Sequence, residues 1–163
     1  MWQIQRIIVP VDYSDCSRAA LEYGLRIADQ VGGTVDVLHV SNVPPFLEDI
    51  PSFDLWSFPR TEPEMKAFLA TIEIPESVHL NSRFEVGDPE QVILRLATAE
   101  RYDLIVMGTH GRTGMSHLLI GSIAENIVRT APCPVVTVRA ATRQVWAVPV
   151  NRLAVDNTEQ TLP

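Results

Sequence analysis

The sequence predicts an α/β fold in which a five-stranded parallel sheet carries helices on both faces. Three observations predict it. Short β-branched runs alternate with amphipathic helical stretches along the 163 residues. Glycine, proline and capping residues punctuate the boundaries between them. The 46% hydrophobic content suffices for the one core that a domain of this length buries. Alternation of strand and helix brings right-handed crossovers, and these impose parallel pairing.

Each element has its own signal. Arg6-Ile-Ile-Val-Pro-Val11 is apolar and β-branched, the mark of a buried strand, and Asp12 closes it. Ser14 and Asp15 offer an N-cap for a helix to about Val31, with Ala20, Leu21, Leu25, Ala28 and Val31 on one stripe. Gly32-Gly33 supplies a left-handed stop, and residues 34–40 form the second strand. Residues 41–63 break the rhythm. Prolines 44, 45, 51, 59 and 63 exclude a regular helix or central strand, while Phe46, Phe53, Trp56 and Phe58 exclude a solvated linker. Those aromatics are expected to cover the edge of the sheet or a partner, with a lid over a ligand as the other option.

Met65, Phe68, Leu69 and Ile72 then recur at helical spacing from Glu64. Val78, Leu80, Ser82, Phe84 and Val86 alternate with polar residues as a third strand. Asp88 caps and Pro89 opens a helix that buries Val92, Ile93, Leu96 and Ala97. Residues 103–107 form a fourth strand. After a glycine-rich loop, a helix runs from about Ser122 to Thr130, Pro132-Cys-Pro134 ends it, and residues 135–138 form the fifth strand. The domain spans residues 1–140. Residues 141–163 are a tail without clear period, loose over its last eight residues. In it, Val145-Trp-Ala-Val148 offers an edge strand or a partner contact.

Composition narrows the function. Thirteen Lys+Arg against 20 Asp+Glu leave a net charge of −7, which disfavours duplex nucleic acid and anionic membranes as partners. Cys16 and Cys133 have neither CxxC spacing nor clustered histidines beside them, which disfavours a zinc site or a disulfide framework. No basic start precedes an apolar run, and no apolar run approaches the ~20 residues of a membrane helix. A soluble cytoplasmic domain is the expectation.

The chemistry is expected beyond the carboxyl ends of the strands, where a doubly wound sheet binds ligands. There the chain reads Gly108-Thr-His-Gly111-Arg-Thr-Gly114-Met-Ser-His-Leu-Leu-Ile-Gly121-Ser122. Glycines let backbone amides approach an anion, the helix start favours phosphate, and Arg112 adds a fixed charge. The absence of Gly-Lys-Ser/Thr excludes a Walker A loop, and the spacing is not the tight dinucleotide fingerprint.

Gly108-x2-Gly111-x9-Gly121-Ser122 resembles the nucleotide-binding motif of universal stress proteins of the ATP-binding subclass. Ile7-Ile-Val-Pro-Val-Asp12, Gly87-Asp88-Pro89, the stretch 103–114 and the stretch 130–138 are similar to further family segments, so the likeness runs from about Gln5 to Arg139. It implies a Rossmann-like fold of the adenine nucleotide alpha hydrolase type. It also implies ATP as ligand, with Mg²⁺ or Mn²⁺, and a homodimer through the last strand, Pro134–Val138. By motif position, Pro10, Val11, Asp12 and Val40 would surround adenine and ribose. Met107, Gly108, Gly111, Gly121, Ser122 and Ile123 would hold ribose and phosphates, and His110 and Arg112 would line the phosphate path. The loop 41–63 and the tail depart from the family pattern.

The implied protein is a nucleotide-dependent regulatory module of the stress response that acts through a dimer or an unidentified protein partner. Its rivals are a slow ATP hydrolase or phosphotransferase and an interaction protein with an empty glycine loop. No catalytic residue is assigned, because neither His110 nor His117 has a Ser/Asp arrangement visible beside it. Ser122-Ile-Ala-Glu125 also reads as a capping box, which would give Ser122 a structural role of ~1 kcal/mol. Gly121 is expected to be glycine for close approach of phosphate and for its backbone angles. His39 is expected to pack or snorkel within its strand, and Cys16, near a helix start, is the more reactive of the two thiols.

Overall fold

A computed structural model describes residues 3–42, 62–109 and 121–140. In chain order the elements are β1 (Arg6–Pro10), α1 (Asp15–Val31), β2 (Thr34–Ser41), α2 (Glu62–Leu69), β3 (His79–Val86), α3 (Pro89–Ala99), β4 (Leu104–Gly108), α4 (Ser122–Thr130) and β5 (Val135–Val138). The five strands form one sheet in the order β3-β2-β1-β4-β5, and every pairing is parallel.

The ends of the elements follow their residues. Ser14 caps α1, its side chain accepting from the Ser17 amide, and Gly32 closes the helix at φ 71°, a conformation that costs glycine nothing. Asp88 caps α3 by accepting from the Gln91 amide, with Pro89 in the first turn, where no amide donor is needed.

The sheet divides the core into two layers. Ala20, Leu21, Leu25 and Ala28 of α1 pack with Met65 and Phe68 of α2 over Ile7, Val9, Val35 and Val37. On the opposite face Val92, Ile93, Leu96 and Ala97 of α3 and Ala124 and Ile127 of α4 cover Ile8, Leu38, Ile105 and Met107. The central strand is the most deeply covered, with Ile7, Ile8 and Val9 all at 0% exposure. Each such side chain adds ~1.5–3 kcal/mol of transfer free energy.

Three expectations are corrected. Val31 is exposed, because the buried stripe of α1 ends one turn earlier, at Ala28. Helix α2 begins at Glu62, so Pro63 lies inside it; a proline in the first turn leaves no hydrogen bond unmade. The same helix ends at Leu69, and Ile72 reaches the core from the turn that follows. The aromatics of the loop 41–63 and the features assigned to the tail lie outside the described residues.

Candidate functional site

The chain runs from β1 through β2 to β3 at one edge, then returns to add β4 and β5 on the other side of β1. At such a reversal the connections leaving neighbouring strands diverge to opposite faces and leave a crevice. A cleft of about 150 Å³ opens there. Pro10, Val11 and Asp12 at the end of β1 line it, with Leu38 and Val40 of β2 and Met107, Gly108 and Thr109 at the end of β4. Ser17, Pro89, Ile93 and Ile123 close it from the helices. Whole small-molecule sites run to ~300–1,000 Å³, so the walls given by the described residues suit one planar ring rather than an entire nucleotide.

The ladder between β1 and β2 stops at this cleft. Thr34 donates its amide to Gln5 and Leu38 accepts from the Val11 amide at 2.8 Å, so even-numbered residues of β2 turn their backbone groups toward β1. Ser41 accepts from Gly87, so odd-numbered ones face β3. Pairing with β1 ends at Pro10 opposite Leu38. The backbone N–H and C=O of Val40 therefore lie one rung past the end of β1, beside the cleft. A donor and an acceptor side by side on an apolar wall match the edge of a heterocyclic base.

The turn after β1 is held from both sides. Oδ1 of Asp12 accepts from the Ser14 amide at 3.1 Å and from the Ser14 hydroxyl at 2.6 Å. The Ser17 hydroxyl donates to the Ser14 carbonyl. Tyr13 sits at φ 67°, where a non-glycine residue stores ~1–3 kcal/mol of strain. Its ring stacks on His39 at 4.5 Å and meets Phe68 edge-on at 5.4 Å, contacts that hold it there. Nδ1 of His39 lies 2.9 Å from the Val11 carbonyl. A carbonyl only accepts, so Nδ1 carries the proton.

The glycines divide by cause. A Cβ on Gly108 would stand 2.9 Å from the Cys16 Cβ and 3.0 Å from its carbonyl carbon, so this residue is glycine because α1 packs directly on the end of β4. Gly121 is the N-cap of α4 at φ −60° and ψ 149°, extended backbone that any residue adopts. Its amide donates to the Thr109 carbonyl at 2.7 Å. Two sequence readings are thereby corrected: the backbone angles do not require glycine at 121, and Ser122 does not cap the helix. Ser122 is the first helical residue and α4 has no side-chain cap bond, so the capping box fails by one residue. Glu125 instead approaches Arg129 at 3.7 Å on the surface of the helix.

The structure thus brings Pro10, Val11, Asp12, Val40, Met107, Gly108 and Ile123 to one cleft, with Gly121 and Ser122 next to it in the chain. His110, Gly111 and Arg112 lie outside the described residues. Sequence reading missed Ser17, Leu38, Pro89, Ile93 and Thr109. Ser17 and Pro89 were findable, since each sits in the first turn of a helix that begins at the carboxyl end of the sheet. Among the described residues no three His, Cys, Asp or Glu side chains gather in one place. Burial pushes the Cys133 thiol up, with the Asp103 charge adding to it.

Among the described residues, the densest charge cluster lies at the opposite end of the sheet. The Tyr102 hydroxyl donates to Asp36 and accepts from Arg83 at 3.0 Å. Arg83 pairs with Glu100 at 2.6 Å, and Arg6 reaches both Glu100 and Asp36. Asn81 donates to Asp36 at 2.8 Å. Burial pushes the Asp36 carboxyl up, but the bonds from Tyr102 and Asn81 and the Arg6 charge outweigh it and hold it below the usual carboxylate range. The bond from Arg83 lowers Glu100 likewise, and burial pushes the Tyr102 hydroxyl up to about 12.

Comparison with known proteins agrees with this architecture. The sequence model of the Universal stress protein family matches residues 3–139. Universal stress protein MJ0531 of Methanocaldococcus jannaschii is 33% identical over 140 residues, covering 83% of this chain and 82% of that one. The structure of MJ0577, from the same organism, superposes with a TM-score of 0.71 at 25% identity, over 86% of this chain and 99% of that one. A universal stress protein from Archaeoglobus fulgidus, solved in complex with dAMP, shares the fold at a TM-score of 0.56 and 19% identity, over 85% of this chain and 99% of its own.

Proposed function

Because this chain belongs to the universal stress protein family, we propose that it is a cytoplasmic adenine-nucleotide-binding module that acts in the stress response through nucleotide-dependent contacts with a second copy or a protein partner. One observation carries the reading: an apolar cleft at the switch point with the Val40 backbone donor and acceptor on its wall. Adenine lies in the cleft, and its ring edge, which has an acceptor beside an amino donor, is complementary to that pair. Ribose and phosphates extend toward the start of α4, where the first amides, which have no partner within the helix, and the helix dipole favour negative charge. The dAMP bound by the Archaeoglobus fulgidus protein supports an adenine nucleotide. ATP is the ligand proposed, with Mg²⁺ or Mn²⁺ carried on its phosphates.

The module binds rather than turns over its nucleotide. Asp12, the carboxylate at the cleft, is engaged through Oδ1 by Ser14 and so serves the turn before α1, which supports a non-catalytic role. Mass spectrometry of the supernatant from denatured purified protein, with calorimetric titration of ATP, tests the reading. A chain that carries no adenine nucleotide and shows no heat with ATP overturns it. Gly121→Val separates phosphate from base. Valine tolerates the extended backbone at 121, so a ~10-fold loss for ATP, with adenosine little affected, reports close approach of phosphate there.

The homodimer is proposed to pair along β5, which lies at one edge of the sheet. Pro134 and Val138 turn their carbonyls to β4, so Thr137 turns its amide to the open edge. Thr137→Pro removes that one donor while leaving the bonds to β4, and it is expected to give monomers in sedimentation. Val136 packs partly against the α1 layer, so a charge there would test the fold instead.

A further inference from the structure

We infer that His39 is a positioning residue of the nucleotide site: from the face of the sheet away from the cleft, its imidazole N–H takes the Val11 carbonyl and so keeps the last rung between β1 and β2 open for the base. The inference deepens the adenine-nucleotide reading and rests on it.

The argument starts from the ladder. If β1 ran one residue further, the partner of the Val11 carbonyl would be the Val40 amide, because even-numbered residues of β2 bond to β1. That bond would close the wall and consume the donor that the base needs. Instead the Val11 carbonyl meets Nδ1 of His39 at 2.9 Å. His39 is an odd-numbered residue, so its side chain leaves the sheet on the side of Val35 and Val37, the α1 layer, and it does not line the cleft. Its ring is also one half of the stack that holds Tyr13 at φ 67°. One side chain thus fixes the residue before Asp12 by a hydrogen bond and the residue after it by a ring contact. Asp12 and Val11 both line the cleft, so the shape of the cleft at the end of β1 depends on a residue that touches no ligand.

Two substitutions divide the roles. His39→Phe keeps a ring against Tyr13 and removes the donor. His39→Asn keeps an N–H at the place of Nδ1 and removes the ring. Calorimetric titration of the full chain with ATP and with adenosine should show ~10-fold weaker binding of both ligands for His39→Phe, and binding within ~3-fold of wild type for His39→Asn, since a preorganised wall is what is lost. Circular dichroism and urea midpoints establish that both variants fold. A folded His39→Phe protein that binds as well as wild type overturns the inference and leaves the nucleotide reading standing. A wild-type chain that binds neither ligand overturns both. A measurement on the wild type needs no variant: nitrogen-15 spectra should show the Nδ1–H tautomer of His39 with and without ATP, and the Nε2–H tautomer overturns the inference.

Discussion

The two ends of one sheet face carry opposite solutions to the same problem of buried polarity. Along β2 the residues Asp36, Leu38 and Val40 point to the α3 side in succession. Asp36 enters a network of five charged or phenolic groups, Leu38 enters the core, and Val40 borders the cleft. At the amino-terminal end each polar side chain in that network is answered by another. At the carboxyl end the polar groups are mostly backbone, left over where β1 stops, and the walls are apolar. The abundance of titratable groups therefore points away from the cleft where a nucleotide is proposed to bind. Ionised groups that satisfy one another hold a fold together, whereas a concave apolar wall with a few fixed donors and acceptors has something to offer a ligand.

The contrast can be broken at either end. The largest effect is expected from Asp36→Ala. It leaves the Tyr102 hydroxyl and the Asn81 amide without the buried carboxylate they donate to, and costs Arg6 one of its two carboxylates, so urea denaturation should show a loss of about 3 kcal/mol. The ATP affinity of the folded fraction should stay within ~2-fold of wild type, because coupling between well-separated sites is small. A loss of affinity that tracks the loss of stability would mean that the two ends are not independent.

At the cleft, Gly108→Ala drives a methyl group into the Cys16 backbone and should cost about 2 kcal/mol in the same assay. Cys16→Ala should not relieve it, because the obstructing carbonyl carbon and oxygen remain. Relief by Cys16→Ala would assign the contact to the thiol side chain alone. Smaller again is the pair Ser14→Ala and Ser122→Ala. The first removes a true cap and should lower stability by ~1 kcal/mol, while the second should change it by less than ~0.5 kcal/mol. Equal losses in thermal unfolding would restore the capping box at Ser122.

The last difference is one of pH. Asp36 and Glu100 are held below the ordinary carboxylate range. Their contribution is therefore complete above pH ~5 and is lost as pH falls through their lowered values. Tyr102, pushed up to about 12, contributes fully below pH ~10 and loses its share as pH rises toward that value. Urea midpoints should fall at pH below the acid limit and above the alkaline one. Asp36→Asn should flatten the acid limb, and an unchanged acid limb in that variant would remove Asp36 from the account. Arg6 is 40% exposed, so solvent screens its part in the network.

The fold was legible in the sequence where a local rule has a local cause. Ser14, Asp88 with Pro89, and Gly32 mark helix ends because capping is settled within a few residues. The core positions of α3 follow from period alone. Ser122 misled because Gly-Ser offers two caps one residue apart, and only the backbone decides between them. Pro63 misled because a proline reads alike as the end of a loop and as the first turn of a helix. The site was half legible. Strand ends and glycines can be read off a sequence, but the bond from His39 to Val11 joins residues 28 apart on different strands. The bond from Tyr102 to Asp36 spans 66. Contacts of this kind exist only once strands are in register, and no spacing announces them.

The strand order has a consequence for how the molecule comes into being. β1 is made before the other described strands, yet one of its two neighbours is β4, and the Arg6 amide meets the Asp103 carboxylate across 97 residues. On the ribosome β1, β2 and β3 can pair while the second half is still unmade, with the inner edge of β1 bare until β4 emerges. The cleft straddles that late seam, with Pro10 and Val40 on the early side and Met107 and Ile123 on the late one. It does not exist before the halves join. A nucleotide bound there as proposed would act as a clasp, held only by the joined halves and shifting the balance from half-built to complete as its concentration rises.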